Sequence, residues 1–185
     1  IQMGKHTFVQ KPMAHTIHEA RELRLAARRH QVVTQMGIQG HCGEGIRLLK
    51  EWLDADAIGA VHEDHYWTDR PIWPQGIATP DERAPVPQGL DWNLLLGVAR
   101  ERPYHPAYHP FKWRGWWDFG CDALGDIGCH MMDAGFFALD LGSPTSVEAV
   151  SEGGTADCAP AWSIITYQFP ARQGKPPVTV VWHDG

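Results

Sequence analysis

The sequence has no basic run, no long apolar run and no closely spaced cysteine pair. Sixteen basic residues stand against 22 acidic ones, for a formal net charge of −6, so the electrostatic footprint of a nucleic-acid-binding protein is missing. No apolar run approaches the roughly 18 residues of a membrane span. The four cysteines include no C-x-x-C pair, which favours free thiols over a disulfide scaffold.

A glycine-rich phosphate loop is also missing. No Gly-x-Gly-x-x-Gly pattern occurs, so the turn that binds a dinucleotide pyrophosphate is not among these residues. The chain begins at Ile1 and stops within the apolar, strand-like residues 178–185, which predicts a fragment truncated at both ends. No signal peptide is visible. We expect a cytoplasmic protein, with export left open because the expected truncation would remove any export signal.

The N-terminal residues carry the pattern of a strand–helix–strand unit. Short apolar segments at 6–10 and 31–36 flank residues 17–30, where apolar side chains recur at helical spacing. Thr16 and Glu19 form a capping-box pattern at the start of that helix. This alternation is typical of a parallel α/β sheet.

The remaining chain combines predicted elements with one long irregular stretch. Residues 68–120 are rich in proline, and their tryptophans argue for ordered loops rather than disorder. Residues 162–169 carry apolar groups on both strand faces, which predicts cover from helices on one side and a subunit partner on the other. The predicted helices are 43–54, 91–97 and 122–141, and the predicted strands are 58–67, 146–151, 162–169 and 178–183.

The segment 125–133, Gly-Asp-Ile-Gly-Cys-His-Met-Met-Asp, carries the strongest chemical pattern. Asp126 and His130 are four residues apart, which places them on one helical face, and Asp133 continues the stripe. A carboxylate beside an imidazole is a common way to build a general base near neutral pH. The same spacing also occurs among ordinary core and surface histidines.

Two separated motifs resemble those of the Gfo/Idh/MocA oxidoreductase family. Residues 9–12, Val-Gln-Lys-Pro, resemble the family's Glu-Lys-Pro motif, and residues 125–133 resemble its Gly-x-(x)-Asp-x-Gly-x-His-x-x-Asp helix. Gln10 stands where the family usually has glutamate, which puts a glutamate–lysine ion pair in doubt. The tryptophan-rich residues 65–76 and 113–120 are similar to a large bacterial branch with mostly unassigned substrates.

The resemblance implies an α/β fold, α+β for its main part. Residues 1–36 would be the last strand–helix–strand of an NAD(P)-binding Rossmann domain. Residues 37–185 would form a substrate and dimerisation α/β domain, truncated at its C-terminus, with an open, largely antiparallel sheet. The implied partner is a second copy of the chain on the open sheet face. The fragment itself is expected to be inactive, because most of the Rossmann domain is absent.

The implied activity is that of an NAD(P)-dependent dehydrogenase in carbohydrate metabolism. Hydride would pass between the nicotinamide of NAD or NADP and a hydroxyl or keto carbon of a sugar, cyclitol or glycoside. His130 would act as general base, Lys11 would stabilise the developing alkoxide, and Asp126 would hold the substrate or the histidine ring. The residues expected to bind cofactor are Lys11, Pro12 and Gln39.

Substrate contacts are expected from the aromatic-rich segments. Flat rings with hydrogen-bonding edges suit a polar ring-shaped ligand, although they suit a large aromatic core equally well. Arg114 suits a hydroxyl, a carboxylate, a cofactor phosphate or an ordinary salt bridge. The candidates are Tyr66, Trp67, Arg70, Trp73, Arg114, Trp116 and Trp117.

Three other readings stay open. One is a glycosidase of the same family that uses NAD transiently. Another is a metal-dependent hydrolase built on His130, Asp126 or Asp133, with further histidines; no His-Glu-x-x-His occurs, and Pro106 opposes a helical His105–His109 pair, so we expect no metal site. The third is a non-catalytic sugar-binding or regulatory family member. We expect neither nucleic acid nor membrane as a partner.

Overall fold

The computed structural model describes residues 1–185 and begins with a small parallel sheet. Strand β1 (Thr7–Gln10), helix α1 (Ile17–His30) and strand β2 (Thr34–Gly37) follow one another, and β1 pairs in parallel with β2. Thr16 accepts the Glu19 backbone N–H at 3.1 Å, and Glu19 accepts the Thr16 N–H at 2.9 Å. The predicted strand–helix–strand unit and its capping box are both present.

This N-terminal unit buries little of its own apolar surface. No residue of α1 is buried. Phe8 on β1 and Val33 before β2 are 63% and 68% exposed. The main core of the chain therefore lies in the larger sheet that follows.

The larger sheet has four strands in the order β3-β6-β5-β4. Strand β3 pairs in parallel with β6, whereas β6–β5 and β5–β4 are antiparallel. This confirms an α/β fold with a largely antiparallel sheet. The strand bounds are β3 Glu63–Trp67, β4 Ser146–Glu152, β5 Trp162–Phe169 and β6 Val178–Asp184. Strand β3 is shorter than predicted because its ladder with β6 begins only at Glu63.

Helices cover one face of this sheet. The helix α2 (Glu44–Asp54) and a helical run after residue 121 pack there over a core that includes Phe169, Val180 and Trp182. The run is a π turn (Leu124–Gly128), then α4 (Cys129–Met131) and α5 (Asp133–Ala138). One uninterrupted helix over 122–141 was predicted, and the widened turn and earlier end correct it. Asp140, not Gly142, takes the left-handed conformation after the helix, with φ 54°.

The other face of the sheet is open. Side chains alternate along each strand, so Trp67, Val150 and Ile164 point away from the helices, as the strand register shows. These three side chains are 69%, 55% and 38% exposed. Cover on the second face, which the apolar pattern predicts, does not come from this chain.

The irregular residues 68–120 have their own aromatic core. Helix α3 (Trp92–Leu96) supplies Trp92, which meets Tyr104 edge-on at 5.3 Å between ring centroids. Tyr108 meets Trp116 at 4.9 Å in the same cluster. Aromatic packing of this kind replaces regular secondary structure as the stabilising element. None of the chain's helices combines the length and apolar character needed to cross a membrane.

Asp122 introduces the helical run from a left-handed position, with φ 58°. Its Oδ1 accepts the Gly125 backbone N–H at 2.9 Å, which caps the first turn. Burial raises the pKa of Asp122 to about 6, and the nearby Asp184 carboxylate adds to the rise. Because burial raises the pH at which this carboxyl loses its proton, the cap is sensitive to pH.

We expect Asp122→Asn to change the pH dependence of stability. An unfolded aspartate titrates near pH 3.9, so between about pH 4 and 6 the folded state binds the extra proton and stability falls as pH rises. Asparagine keeps the acceptor for Gly125 and removes the charge. Denaturant unfolding should show that the free energy of unfolding of the variant, relative to wild type, is about 1–2 kcal/mol higher at pH 7 than at pH 5. Exposed Asp81→Asn is the matched control; an unchanged difference between Asp122→Asn and wild type at the two pH values would contradict this account.

Candidate functional site

Lys11 joins the small sheet to the helical run. It follows β1 directly, its backbone N–H still donates to the Gly37 carbonyl at 3.3 Å, and its peptide bond to Pro12 is cis. Its Nζ donates to the Asp126 backbone carbonyl at 2.6 Å and to Asp126 Oδ1 at 2.7 Å. The two residues are 115 positions apart, so this contact brings the two motifs of the sequence together.

Asp126 lies in the π turn and meets two cations. Its Oδ1 holds Lys11, and its Oδ2 is 3.4 Å from Arg114 Nε. The side chains of Lys11, Asp126 and Arg114 are 21%, 18% and 26% exposed, so all three are mostly shielded from water. Shielded ion pairs lose less to solvent screening than surface pairs. We call these three residues the charge cluster.

Arg114 reaches the charge cluster from a 3₁₀ turn, Lys112–Gly115. Its guanidinium lies 4.5 Å from the ring centroids of both Phe111 and Trp113, and 5.7 Å from that of Trp73. The structure thus brings together the predicted residues Arg114 and Trp73. Sequence reasoning missed Phe111 and Trp113, although both lie within three residues of Arg114.

His130 lies in α4, four residues after Asp126, and is half-buried. Its ring makes no hydrogen bond within the chain, and Asp126 is engaged by Lys11 and Arg114 instead. Asp126 therefore does not hold the histidine ring, which was one of its two expected roles. Both imidazole nitrogens of His130 remain available to a ligand.

A second histidine, His41, was missed by sequence reasoning. Its Nδ1 is 2.7 Å from Asp133 Oδ2, and its ring meets Phe137 edge-on at 5.8 Å. This contact holds the loop after β2 against Asp133, the last residue of segment 125–133. His41 lies close behind β2, but nothing in its spacing relates it to Asp133, 92 positions away.

Two cysteines border the charge cluster. Burial raises the pKa of Cys121 to about 11, with a smaller contribution from the Asp122 carboxylate. Burial also raises the pKa of Cys129. Both thiols therefore stay protonated near neutral pH, which opposes a role as nucleophiles.

Three other residues predicted to bind substrate lie elsewhere in the fold. Trp116 has no exposed surface, and its Nε1 donates to the Ala107 carbonyl at 2.8 Å, so it is a core residue. Tyr66 donates to Asp64 and packs against Gly135, under the helices. Burial first, then the Asp64 carboxylate, raises the pKa of Tyr66, which keeps it a donor. Trp67, its neighbour on β3, points to the open face.

The remaining residues predicted to bind cofactor or substrate form no hydrogen bond or ion pair with the side chains of the charge cluster. Gln39 is exposed and makes no side-chain hydrogen bond. The nearest acid to Arg70 is the exposed Asp69, at 3.8 Å. Trp117 is 40% exposed, and its backbone N–H donates to Asp157 at 3.0 Å. Pro12 adjoins Lys11 but is exposed.

Residues 67–174 match the family model described as the C-terminal α/β domain of the Gfo/Idh/MocA oxidoreductase family. The WlbA dehydrogenase from Bordetella pertussis, solved with NADH and UDP-GlcNAcA, aligns over 97% of this chain and 44% of its own, at 15% identity and TM-score 0.61.

An NAD-binding oxidoreductase from Klebsiella pneumoniae aligns over 97% of this chain and 41% of its own, at 19% identity and TM-score 0.62. The chain thus spans less than half the length of these structures, and at such identities the likeness establishes the fold. No curated protein matches the sequence.

We expect Lys11 and Asp126 to be energetically coupled. A double-mutant cycle with Lys11→Met and Asp126→Asn, read by denaturant unfolding, should give a coupling of about 1–2 kcal/mol because the pair is shielded and hydrogen-bonded. The Asp69–Arg70 pair, with Asp69 88% exposed, is the matched control and should show no measurable coupling. Equal coupling in both cycles would mean that the Lys11–Asp126 contact does not hold the site together.

Proposed function

The chain belongs to the Gfo/Idh/MocA oxidoreductase family, and we propose that the protein transfers hydride between NAD or NADP and a hydroxyl or keto carbon of a sugar, cyclitol or glycoside. The charge cluster with His130 beside it is the observation that carries this proposal. It supplies a cation for a developing alkoxide and an imidazole for the proton. Both are required when an alcohol is oxidised.

The strand ends support a dinucleotide at this site. Lys11 follows the carboxyl end of β1 and Gln39 follows that of β2. Ligands of open α/β sheets bind outside the carboxyl ends of parallel strands. Lys11, Pro12 and Gln39 would face the nicotinamide half of the cofactor, which supplies or accepts the hydride when bound. The glycine turn that would hold the pyrophosphate is not among residues 1–185.

Lys11 has one N–H left for the reacting oxygen. An ammonium carries three donors, and two of them already go to the carbonyl and the carboxylate of Asp126. The third can donate to the substrate hydroxyl and stabilise negative charge as its proton leaves. Asp126 therefore acts as an anchor that aims the ammonium, since both of its oxygens face cations.

His130 takes the hydroxyl proton in the oxidation direction and returns it in reduction. Histidine is the side chain that most often transfers protons in catalysis, and the His130 ring makes no hydrogen bond within the chain. Among the residues predicted to bind substrate, Arg114 belongs to the charge cluster, and the Trp73 ring centroid lies 5.7 Å from its guanidinium. Arg114 would border the sugar, whereas Trp73 is only 4% exposed and would support the arginine.

A second copy of the chain is the proposed partner of the open sheet face. Val150 and Ile164 pair directly across β4 and β5, and both are more than one-third exposed. Apolar side chains of two neighbouring strands are thus adjacent on this face, and exposed apolar patches can mark protein interfaces. The outward residues Glu148 and Glu152 flank Val150 on β4, as expected for a polar rim.

Turnover by the protein expressed from its complete gene tests the proposed activity. Sugar-dependent change in reduced-nicotinamide absorbance is expected, and His130→Ala should lower kcat/KM by about 10²–10⁴-fold because the proton acceptor is lost. Exposed His62→Ala is the matched control.

An NAD requirement without net absorbance change would indicate a transient-NAD glycosidase, and loss of activity on chelation would indicate a metal-dependent hydrolase. Full activity in His130→Ala would refute the assigned base.

Sedimentation equilibrium tests the proposed partner. Ile164→Glu places a charge in the middle of the open face and should weaken self-association by at least about tenfold, since a buried unpaired charge is costly. Val147→Glu is a matched control because Val147 lies on neighbouring β4, is also exposed, and faces the other side of the sheet. Equal weakening by both variants, or a monomeric wild type, would contradict this interface.

A further inference from the structure

The guanidinium of Arg114 is held in place by its neighbours. Phe111 and Trp113 each lie 4.5 Å from its central carbon, and Nη1 donates to the Phe111 carbonyl at 3.2 Å. The buried Trp73 is more distant, at 5.7 Å, and its Nε1 donates a hydrogen bond to Gln75 Oε1 at 2.8 Å. An arginine packed on aromatic rings is pre-organised for recognition.

Most of the Arg114 donors have no partner in the chain. A guanidinium carries five N–H groups in a planar fork. One on Nη1 goes to Phe111, and Nε faces Asp126 Oδ2 at 3.4 Å. The second N–H on Nη1 and both on Nη2 make no hydrogen bond within the protein. The Arg114 side chain is 26% exposed, so part of it is open to a ligand.

The charge around Arg114 is not balanced. Lys11 and Arg114 share the single carboxylate of Asp126, which leaves one net positive charge in the charge cluster. No other carboxylate contacts Arg114, since Asp122 caps the Gly125 N–H, Asp133 meets His41 and Asp118 pairs with Arg102. A shielded site with an excess cation favours an anionic ligand.

Resting on the proposed function, we propose that Arg114 binds a carboxylate or phosphate carried by the substrate. The substrate class is then an acidic sugar or cyclitol, such as a uronate or a sugar phosphate, rather than a neutral one. Two parallel N–H groups match the two oxygens of either anion. Lys11 is left for the reacting hydroxyl, so the two cations serve different ends of one substrate.

The test compares substrates that differ only in the anion. Steady-state kcat/KM of the protein from its complete gene is measured with D-glucuronate, D-glucose 6-phosphate and D-glucose. We expect one acidic sugar to exceed glucose by at least about tenfold, and Arg114→Gln to reduce that preference by about 10- to 100-fold. Arg114→Lys should retain part of it, because the charge remains without the fork. Exposed Arg83→Gln, which changes net charge equally, should leave the ratio unchanged.

Two results would overturn this inference while the proposed activity stands. One is turnover of glucose as efficient as that of both acidic sugars. The other is an Arg114→Gln variant whose only defect is a raised KM for NAD or NADP, which would assign the arginine to the cofactor.

Failure of the proposed activity has a different signature. No sugar would then give nicotinamide-dependent turnover, and calorimetric titration of the same three sugars decides the anion site alone. Binding of an acidic sugar but not of glucose, lost in Arg114→Gln and partly kept in Arg114→Lys, supports the site. Equal binding, or none, overturns it.

Discussion

The hydrogen-bonded ion pair between the Lys11 ammonium and the Asp126 carboxylate is the contact on which the site depends. It ties the carboxyl end of β1 to the π turn, two elements 115 residues apart. Because Asp126 takes Lys11 with one oxygen and faces Arg114 with the other, the same carboxylate sets the position of both cations. The proposals about the reacting hydroxyl and the substrate charge both rest on the way Asp126 divides its two oxygens between Lys11 and Arg114.

The surrounding architecture explains why these side chains can stay in place. The sheet core under α5 and the aromatic core of residues 68–120 are separate clusters. The helical run packs on the first cluster and supplies Asp126, whereas the irregular residues 68–120 contain most of the second cluster and supply Arg114. The charge cluster therefore lies where two independently packed cores and the small parallel sheet meet. Such junctions are common positions for ligand sites.

The order of helices and strands was predictable because it follows from hydrophobic periodicity. The π turn was not, since the spacing of Asp126 and His130 reads the same in an α-helix. Trp116 and Trp117 show a second limit: they are adjacent, yet one is fully buried and the other 40% exposed. An irregular segment has no regular hydrophobic periodicity, so its sequence does not predict which of the two side chains is buried. The Phe111 and Trp113 contacts of Arg114 and the His41–Asp133 pair depend on loop conformation for the same reason.

A crystal structure of the protein from its complete gene, with reduced nicotinamide cofactor and an acidic sugar bound, tests the central assignment most directly. It should place the reacting hydroxyl about 3 Å from both Lys11 Nζ and a His130 ring nitrogen. Asp126 should keep both cations, and the anion should lie on Arg114. A nicotinamide bound away from Lys11, or a sugar bound without contact to Lys11 and His130, would contradict the assignment of this cluster as the active site.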